Sequence, residues 1–99
     1  MAKLRFTNKA IEDLSNIWNY TFDTWSEKQA DIYYNMLIEY CNDVAQKPPL
    51  GKSYDIVADG IYGIIAGKHI IFYQSIPNDC VEIVRILHGS MDLRNRIKD

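Results

Sequence analysis

The chain has 99 residues, a length for one domain spanning 1–99 with a single modest core. Its 11 Lys and Arg against 13 Asp and Glu leave a formal charge of -2, which excludes a general attraction to nucleic acid or acidic lipid. Two Trp, seven Tyr and three Phe are generous for this size and point to an apolar surface kept for a partner.

Met1 to Phe6, MAKLRF, lacks the apolar core of a signal peptide, and no apolar run reaches the ~20 residues that span a bilayer, so a cytoplasmic protein without membrane contact is expected. Ala2 to Phe6 alternates charged and apolar side chains, the pattern of a short half-buried strand. Thr7 offers a hydroxyl N-cap. From Asn8 the spacing becomes helical, with Ile11, Leu14, Trp18, Thr21, Phe22 and Trp25 on one face and Glu12, Asp13, Asn16, Asn19 and Asp23 pointing away. Ser26-Glu27-Lys28-Gln29 restarts the chain with a capping-box pattern.

The second helix runs to about Gln46 with stripes at Ala30, Tyr33, Leu37, Cys41 and Val44 and at Tyr34, Ile38 and Ala45. Ile32, Met36 and Tyr40 widen its apolar arc. Two such helices in sequence predict an α-hairpin laid on a sheet. Lys47-Pro48-Pro49-Leu50-Gly51 stops the second helix, because proline lacks the amide donor and restricts the residue before it. A loop follows to about Gly60, with Ile56 and Val57 tucked down or forming a short edge strand.

Residues 61–91 hold three apolar runs separated by Ala66-Gly67-Lys68 and Ile76-Pro77-Asn78-Asp79, which predicts an antiparallel meander. Lys68 to Gln74 and Val81 to Leu87 are apolar on both parities, as in central strands covered on two faces. Asp92 to Lys98 is a short basic tail. The fold class is therefore α+β: an N-terminal strand, an antiparallel α-hairpin packed on a small antiparallel sheet, and a tail. Cys41 and Cys80 stand 39 positions apart with no ligand-spaced neighbour, so two reduced buried thiols are expected, with neither metal site nor cofactor.

Three stretches together resemble one family. DLSNIWNYTFDTWSEKQADIYY carries Asp13, Leu14, Ile17, Trp18, Tyr20, Trp25, Gln29, Ala30 and Tyr33. Gly60 and Gly67-Lys68-His69-Ile70-Ile71-Phe72-Tyr73 follow, then Val84-Arg85-Ile86-Leu87-His88-Gly89 with Met91-Asp92-Leu93. In order and spacing these are similar to the ParE branch of the RelE/ParE toxin superfamily, the plasmid-stabilisation proteins. Members often carry Arg where this chain has Tyr62 and Ser90, which removes positive charge here, and Pro where it has Arg94, which changes the tail.

That resemblance implies the toxin of a type II toxin-antitoxin system, neutralised by a cognate antitoxin from the same operon. It further implies inhibition of DNA gyrase by trapping its cleaved complex with DNA, without catalysis and without direct nucleic-acid binding. The target-binding residues it suggests lie in the tail: Ser90, Met91, Asp92, Arg94, Arg96 and Lys98. The antitoxin would cover Trp18, Phe22, Tyr34, Ile38 and Tyr40 on the hairpin and Ile64 and Phe72 on the sheet. Two alternatives stand beside this reading. One is a ribosome-dependent mRNA endoribonuclease using His88, Arg85, Glu82 and Tyr73 as acid, base and charge stabiliser. The other is a relic without toxicity that still binds antitoxin. Strict strand alternation puts Arg85 and His88 on opposite faces and speaks against the nuclease.

Overall fold

Residues 3–89 are described by the computed structural model. Lys3–Phe6 forms strand β1, with Lys3 and Arg5 exposed and Leu4 and Phe6 half-buried, as the alternation requires. Thr7 then ends the strand and starts the helix in one step. Its extended backbone lets Oγ1 accept from the Ala10 N–H at 3.1 Å, while its hydroxyl donates to the Val84 carbonyl at 2.7 Å.

Helix α1 spans Asn8–Thr24 and helix α2 spans Glu27–Gln46. Ser26 caps α2 by accepting from the Gln29 N–H at 3.1 Å, and Glu27 places a carboxylate against the positive helix end. Pro48–Leu50 makes one 3-10 turn that leads away from α2. Four further strands follow: β2 (Lys52–Ser53), β3 (Tyr62–Ala66), β4 (His69–Ile76) and β5 (Cys80–His88).

The strands form one sheet in the order β1-β5-β4-β3-β2. The meander β3-β4-β5 and the β2-β3 pair are antiparallel, but β1 pairs with β5 in parallel, so the sheet is mixed rather than wholly antiparallel. Connecting β1 to β5 takes the whole α-hairpin and the meander between them, a non-local pairing that no local pattern announces. The β3-β4 turn needs glycine twice over. Gly67 has φ +61, and a Cβ there would stand 2.8 Å from the Tyr33 hydroxyl. In the β4-β5 turn Asn78 and Asp79 take positive φ, which short polar side chains tolerate.

Both faces of the sheet are covered. Leu37, Cys41 and Val44 of α2 and Ala10 and Leu14 of α1 meet Ile71, Tyr73, Val81, Ile83 and Ile86 in the main core. On the opposite face Ile61, Phe72 and Leu87 are closed in by Tyr54, Ala58, Ile70 and Val84. Each fully buried aliphatic side chain contributes about 1.5–3 kcal/mol, so the larger helix-side cluster dominates stability. The loop before β3 supplies the second lid: Val57 is tucked in while Ile56 stays exposed, and β2, not residues 56–57, forms the edge strand.

The inward face of α1 is Ala10, Leu14, Ile17 and Thr21, roughly a sixth of a turn from the face the spacing suggests. Ala10 is fully enclosed, and its small side chain lets the helix sit close to the strands. Ile11, Phe22 and Trp25 consequently face out, at 52%, 46% and 73% exposure. An arc of apolar residues wider than one stripe reports that a helix packs, not which part of the arc packs.

Candidate functional site

A break in strand pairing shapes the end of the sheet under α1. Tyr73 pairs with Ile83 and Phe72 with Arg85, which leaves Val84 unopposed, a β-bulge. The extra residue resets the alternation. Ile83 and Ile86, three apart, both reach the helix-side core, and His88 follows on that side. Asp13, Asn16 and Ile17 of α1 thus meet His69, Arg85, Ile86, Leu87 and His88 around a hollow of about 200 Å³. Arg85 and His88 keep opposite parity, as alternation expects, because the register is regular from Arg85 to His88; Arg85 reaches Asp13 where the pairing of β1 with β5 has ended at Ile83, and so both still line the hollow.

Within it, Arg85 is committed to Asp13. Nε and Nη2 donate to the two carboxylate oxygens at 2.9 and 3.1 Å, and the Ile86 N–H donates to Oδ2 at 3.0 Å. Both side chains are 12% exposed, so this is a shielded bidentate pair with its geometry fixed by three hydrogen bonds. Asp13, which periodicity assigns to the outer face, turns in from the flank of the buried arc.

His69 packs edge-on against His88 with ring centroids 5.4 Å apart. Its Nδ1 lies 2.6 Å from the Tyr33 hydroxyl, which also accepts from the Lys68 N–H at 3.1 Å. Burial above all, with repulsion from His88 added and attraction to Asp13 opposing, pulls His69 down to about 4. It is therefore neutral near pH 7. Burial likewise raises the Tyr33 phenol, partly offset by the Lys68 N–H bond. With Arg85 neutralised by Asp13 and His69 uncharged, neither adds net positive charge to the hollow.

Glu82 and Tyr73 stand elsewhere. Glu82 accepts from Gln74 Nε2 at 2.9 Å and pairs with Arg5 at 3.3 Å. Tyr73 is buried; its hydroxyl donates to the Pro48 carbonyl at 2.5 Å and accepts from the Gly51 N–H at 2.9 Å, and burial raises its pKa. At about 3.3 Å per strand residue, Glu82 lies about 20 Å and Tyr73 about 13 Å from the histidine pair. The four nuclease candidates do not assemble. A larger hollow of about 490 Å³ lies at the other end, near Gln46, Pro48 and Asp79, and holds none of them. Among the described residues no three His, Cys, Asp or Glu side chains gather to hold a metal ion.

The most distinctive surface is aromatic. Trp18 and Phe22 stack at 5.3 Å with their planes 16° apart, and Trp18 Nε1 donates to Asp31 at 3.0 Å across the hairpin. Tyr34 is exposed nearby on α2, while Ile38, Tyr40 and Ile64 are half-buried against the main core. Phe72 is corrected as a surface contact: it is fully buried beneath Tyr54, with ring centroids 5.2 Å apart. Ser90, Met91, Asp92, Arg94, Arg96 and Lys98 lie outside the described residues. Tyr33 and His69 are site residues that sequence reasoning placed on a core stripe and just after a turn. Their cross-element contact has no local signal beyond Gly67, whose lack of a side chain admits the phenol.

Comparison with known proteins adds the following. The family model described as "ParE toxin of type II toxin-antitoxin system, parDE" matches residues 4–93. Toxin ParE1 of Mycobacterium tuberculosis is 32% identical over 80 residues, covering 81% of this chain and 82% of that protein. Toxin ParE1 of Caulobacter vibrioides is 32% identical over 94 residues, covering 95% and 96%. Among solved structures, the chromosomal ParDE system of P. aeruginosa superposes with a TM-score of 0.76 at 18% identity, over 89% of this chain and 96% of that one. The RelBE2 toxin-antitoxin complex of M. tuberculosis gives 0.66 at 20% identity, over 88% and 96%. At those identities the two structures speak to the fold.

Proposed function

This chain belongs to the ParE toxin family of type II toxin-antitoxin systems, and from that premise we propose that it inhibits DNA gyrase by trapping the cleaved gyrase-DNA complex. It acts in the cytoplasm as one domain and without turnover. The observation that carries this reading is the Asp13-Arg85 pair. The cation best placed to stabilise a phosphorane is already saturated by a carboxylate at 2.9 and 3.1 Å. A ribonuclease would need that charge unspent, beside an acid and a base. Glu82 and Tyr73 are bound to other partners at a distance no single substrate bond spans.

The partner that restrains the toxin is a cognate antitoxin. Exposed Phe22 and Trp25, with Trp18 and Tyr34 beside them, offer an apolar crest for an amphipathic helix. Tyr40 and Ile64 extend this toward the β3 edge, where β2 pairs only with Tyr62 and Gly63 and the backbone of Ile64 to Ala66 has no partner on that side among the described residues. A disordered antitoxin segment could place a helix on the crest and add backbone hydrogen bonds at that edge. Contact with gyrase is assigned to the tail, Ser90 to Lys98, by the family resemblance.

Brief expression of the chain without antitoxin tests the reading. Chromosome breaks and an induced DNA-damage response with unaltered mRNA 5′ ends are expected. New codon-dependent mRNA ends without breaks would favour the ribosome-dependent nuclease, and unimpaired growth would favour the non-toxic relic.

A further inference from the structure

We infer that His69 and His88 form a two-imidazole chelate for a divalent transition-metal ion of the zinc, nickel and copper class. The two residues are direct cross-strand partners on β4 and β5. The next pair outward, Lys68 and Gly89, is joined by the Gly89 N–H donating to the Lys68 carbonyl at 3.1 Å. In an antiparallel ladder that alternation makes 69/88 a non-hydrogen-bonded pair, the kind whose side chains stand closer together.

The spacing suits a shared ion. A tetrahedral metal bound at about 2.0–2.1 Å by one nitrogen from each ring, with about 1.15 Å from nitrogen to ring centre, sets the two centroids about 5.2 Å apart. Here they are 5.4 Å apart before any ion enters.

His69 also has the outer partner that a ligating imidazole needs. Tyr33 Oη, 2.6 Å from Nδ1, fixes the ring and leaves Nε2 as the donor atom. Metal on Nε2 selects the tautomer in which Nδ1–H donates to the phenol oxygen, whose own proton then turns to the Ala66 carbonyl at 3.5 Å. The Lys68 N–H holds the same oxygen at 3.1 Å. The adjoining hollow of about 200 Å³ accommodates the ion and the waters that complete its shell, at about 30 Å³ per water. With two protein ligands and imidazole donors, the site favours copper, nickel and zinc over magnesium or calcium. An ion there clamps β4 to β5 at the point where the chain passes into residues 90–99.

The test uses the full chain, free of any affinity tag, titrated with zinc chloride and followed by calorimetry and by the histidine ring signals in NMR. One ion per chain is expected, with both imidazoles shifting together. His88→Gln should weaken binding at least tenfold while its far-ultraviolet circular dichroism stays that of the parent chain. Tyr33→Phe should weaken it about tenfold while leaving both ligands in place, the loss typical of an outer-shell partner. If His69→Gln fails to fold because the Tyr33 contact is lost, His88→Gln alone decides. Zinc affinity that survives His88→Gln, or a shift confined to one ring, would overturn the inference.

Discussion

Replacing Asp13 by Ala removes the carboxylate that neutralises the Arg85 guanidinium. The carboxylate accepts three hydrogen bonds, from Arg85 Nε and Nη2 and from the Ile86 N–H, at 2.9 to 3.1 Å. Breaking a buried ion pair from one side costs about 3–5 kcal/mol, because the remaining charge loses its compensation. At 12% exposure, water reaches part of the guanidinium, which places the expected loss near the lower end, about 3 kcal/mol. For a domain of this size that lowers the melting temperature by about 12–24 °C. Asp13→Asn separates charge from geometry: the amide oxygen still accepts from Ile86, so a smaller loss is expected. The double change Asp13→Leu with Arg85→Met removes both charges and should recover most of the stability. Urea unfolding of the wild type, Asp13→Leu, Arg85→Met and the double variant completes the cycle. A loss under 1 kcal/mol for Asp13→Ala would refute the view that Arg85 is spent on structure.

Other expectations follow from single contacts. Tyr73→Phe leaves the Pro48 carbonyl and the Gly51 N–H without their partner, for a loss of about 1–3 kcal/mol in urea unfolding. Gly67→Ala combines a left-handed backbone with a Cβ 2.8 Å from the Tyr33 hydroxyl, and should cost at least 1–2 kcal/mol, roughly the left-handed penalty alone. Cys41 is fully enclosed and its thiol is pushed up to about 12 from 9.0, so it should ignore aromatic disulfide reagents at pH 8 until the chain unfolds. A raised folded pKa favours the folded state below the unfolded value, so the stability Cys41 contributes should be lost as pH climbs from about 9 to about 12. Trp25→Ser should leave the melting temperature nearly unchanged, since Trp25 is 73% exposed, yet weaken capture of the antitoxin at least tenfold by calorimetry.

Much of the fold is legible in the chain because local physics dictates it. Thr7 and Ser26 cap the helices they precede, the Pro48-Pro49 pair stops α2, and Gly67 and Asn78-Asp79 turn the meander. Strands apolar on both parities do have cover on both faces, from helices on one side and the Tyr54-Val57 loop on the other. What stays illegible depends on distant partners. The parallel β1-β5 pairing has no local mark. Which part of α1's apolar arc packs depends on how closely Ala10 lets the helix approach the strands. The bulge at Val84 is hidden in the run from Ile83 to Leu87, and it decides that Ile83 and Ile86, three apart, share the helix-side core. That Asp13 is the carboxylate meeting Arg85 has no local mark either: it sits where β1 no longer pairs with β5, and there the Ile86 N–H donates to it.

The central claim is that this toxin does harm by occupying a surface on gyrase rather than by breaking a phosphodiester bond itself. Incubating the purified chain with gyrase, supercoiled plasmid and ATP, then stripping the protein and resolving the DNA, measures it most directly. Linear plasmid that accumulates with toxin concentration, requires gyrase and is abolished by antitoxin is the outcome this account predicts. Plasmid that stays intact under those conditions, while the same preparation cuts mRNA on ribosomes at fixed codons, would contradict it.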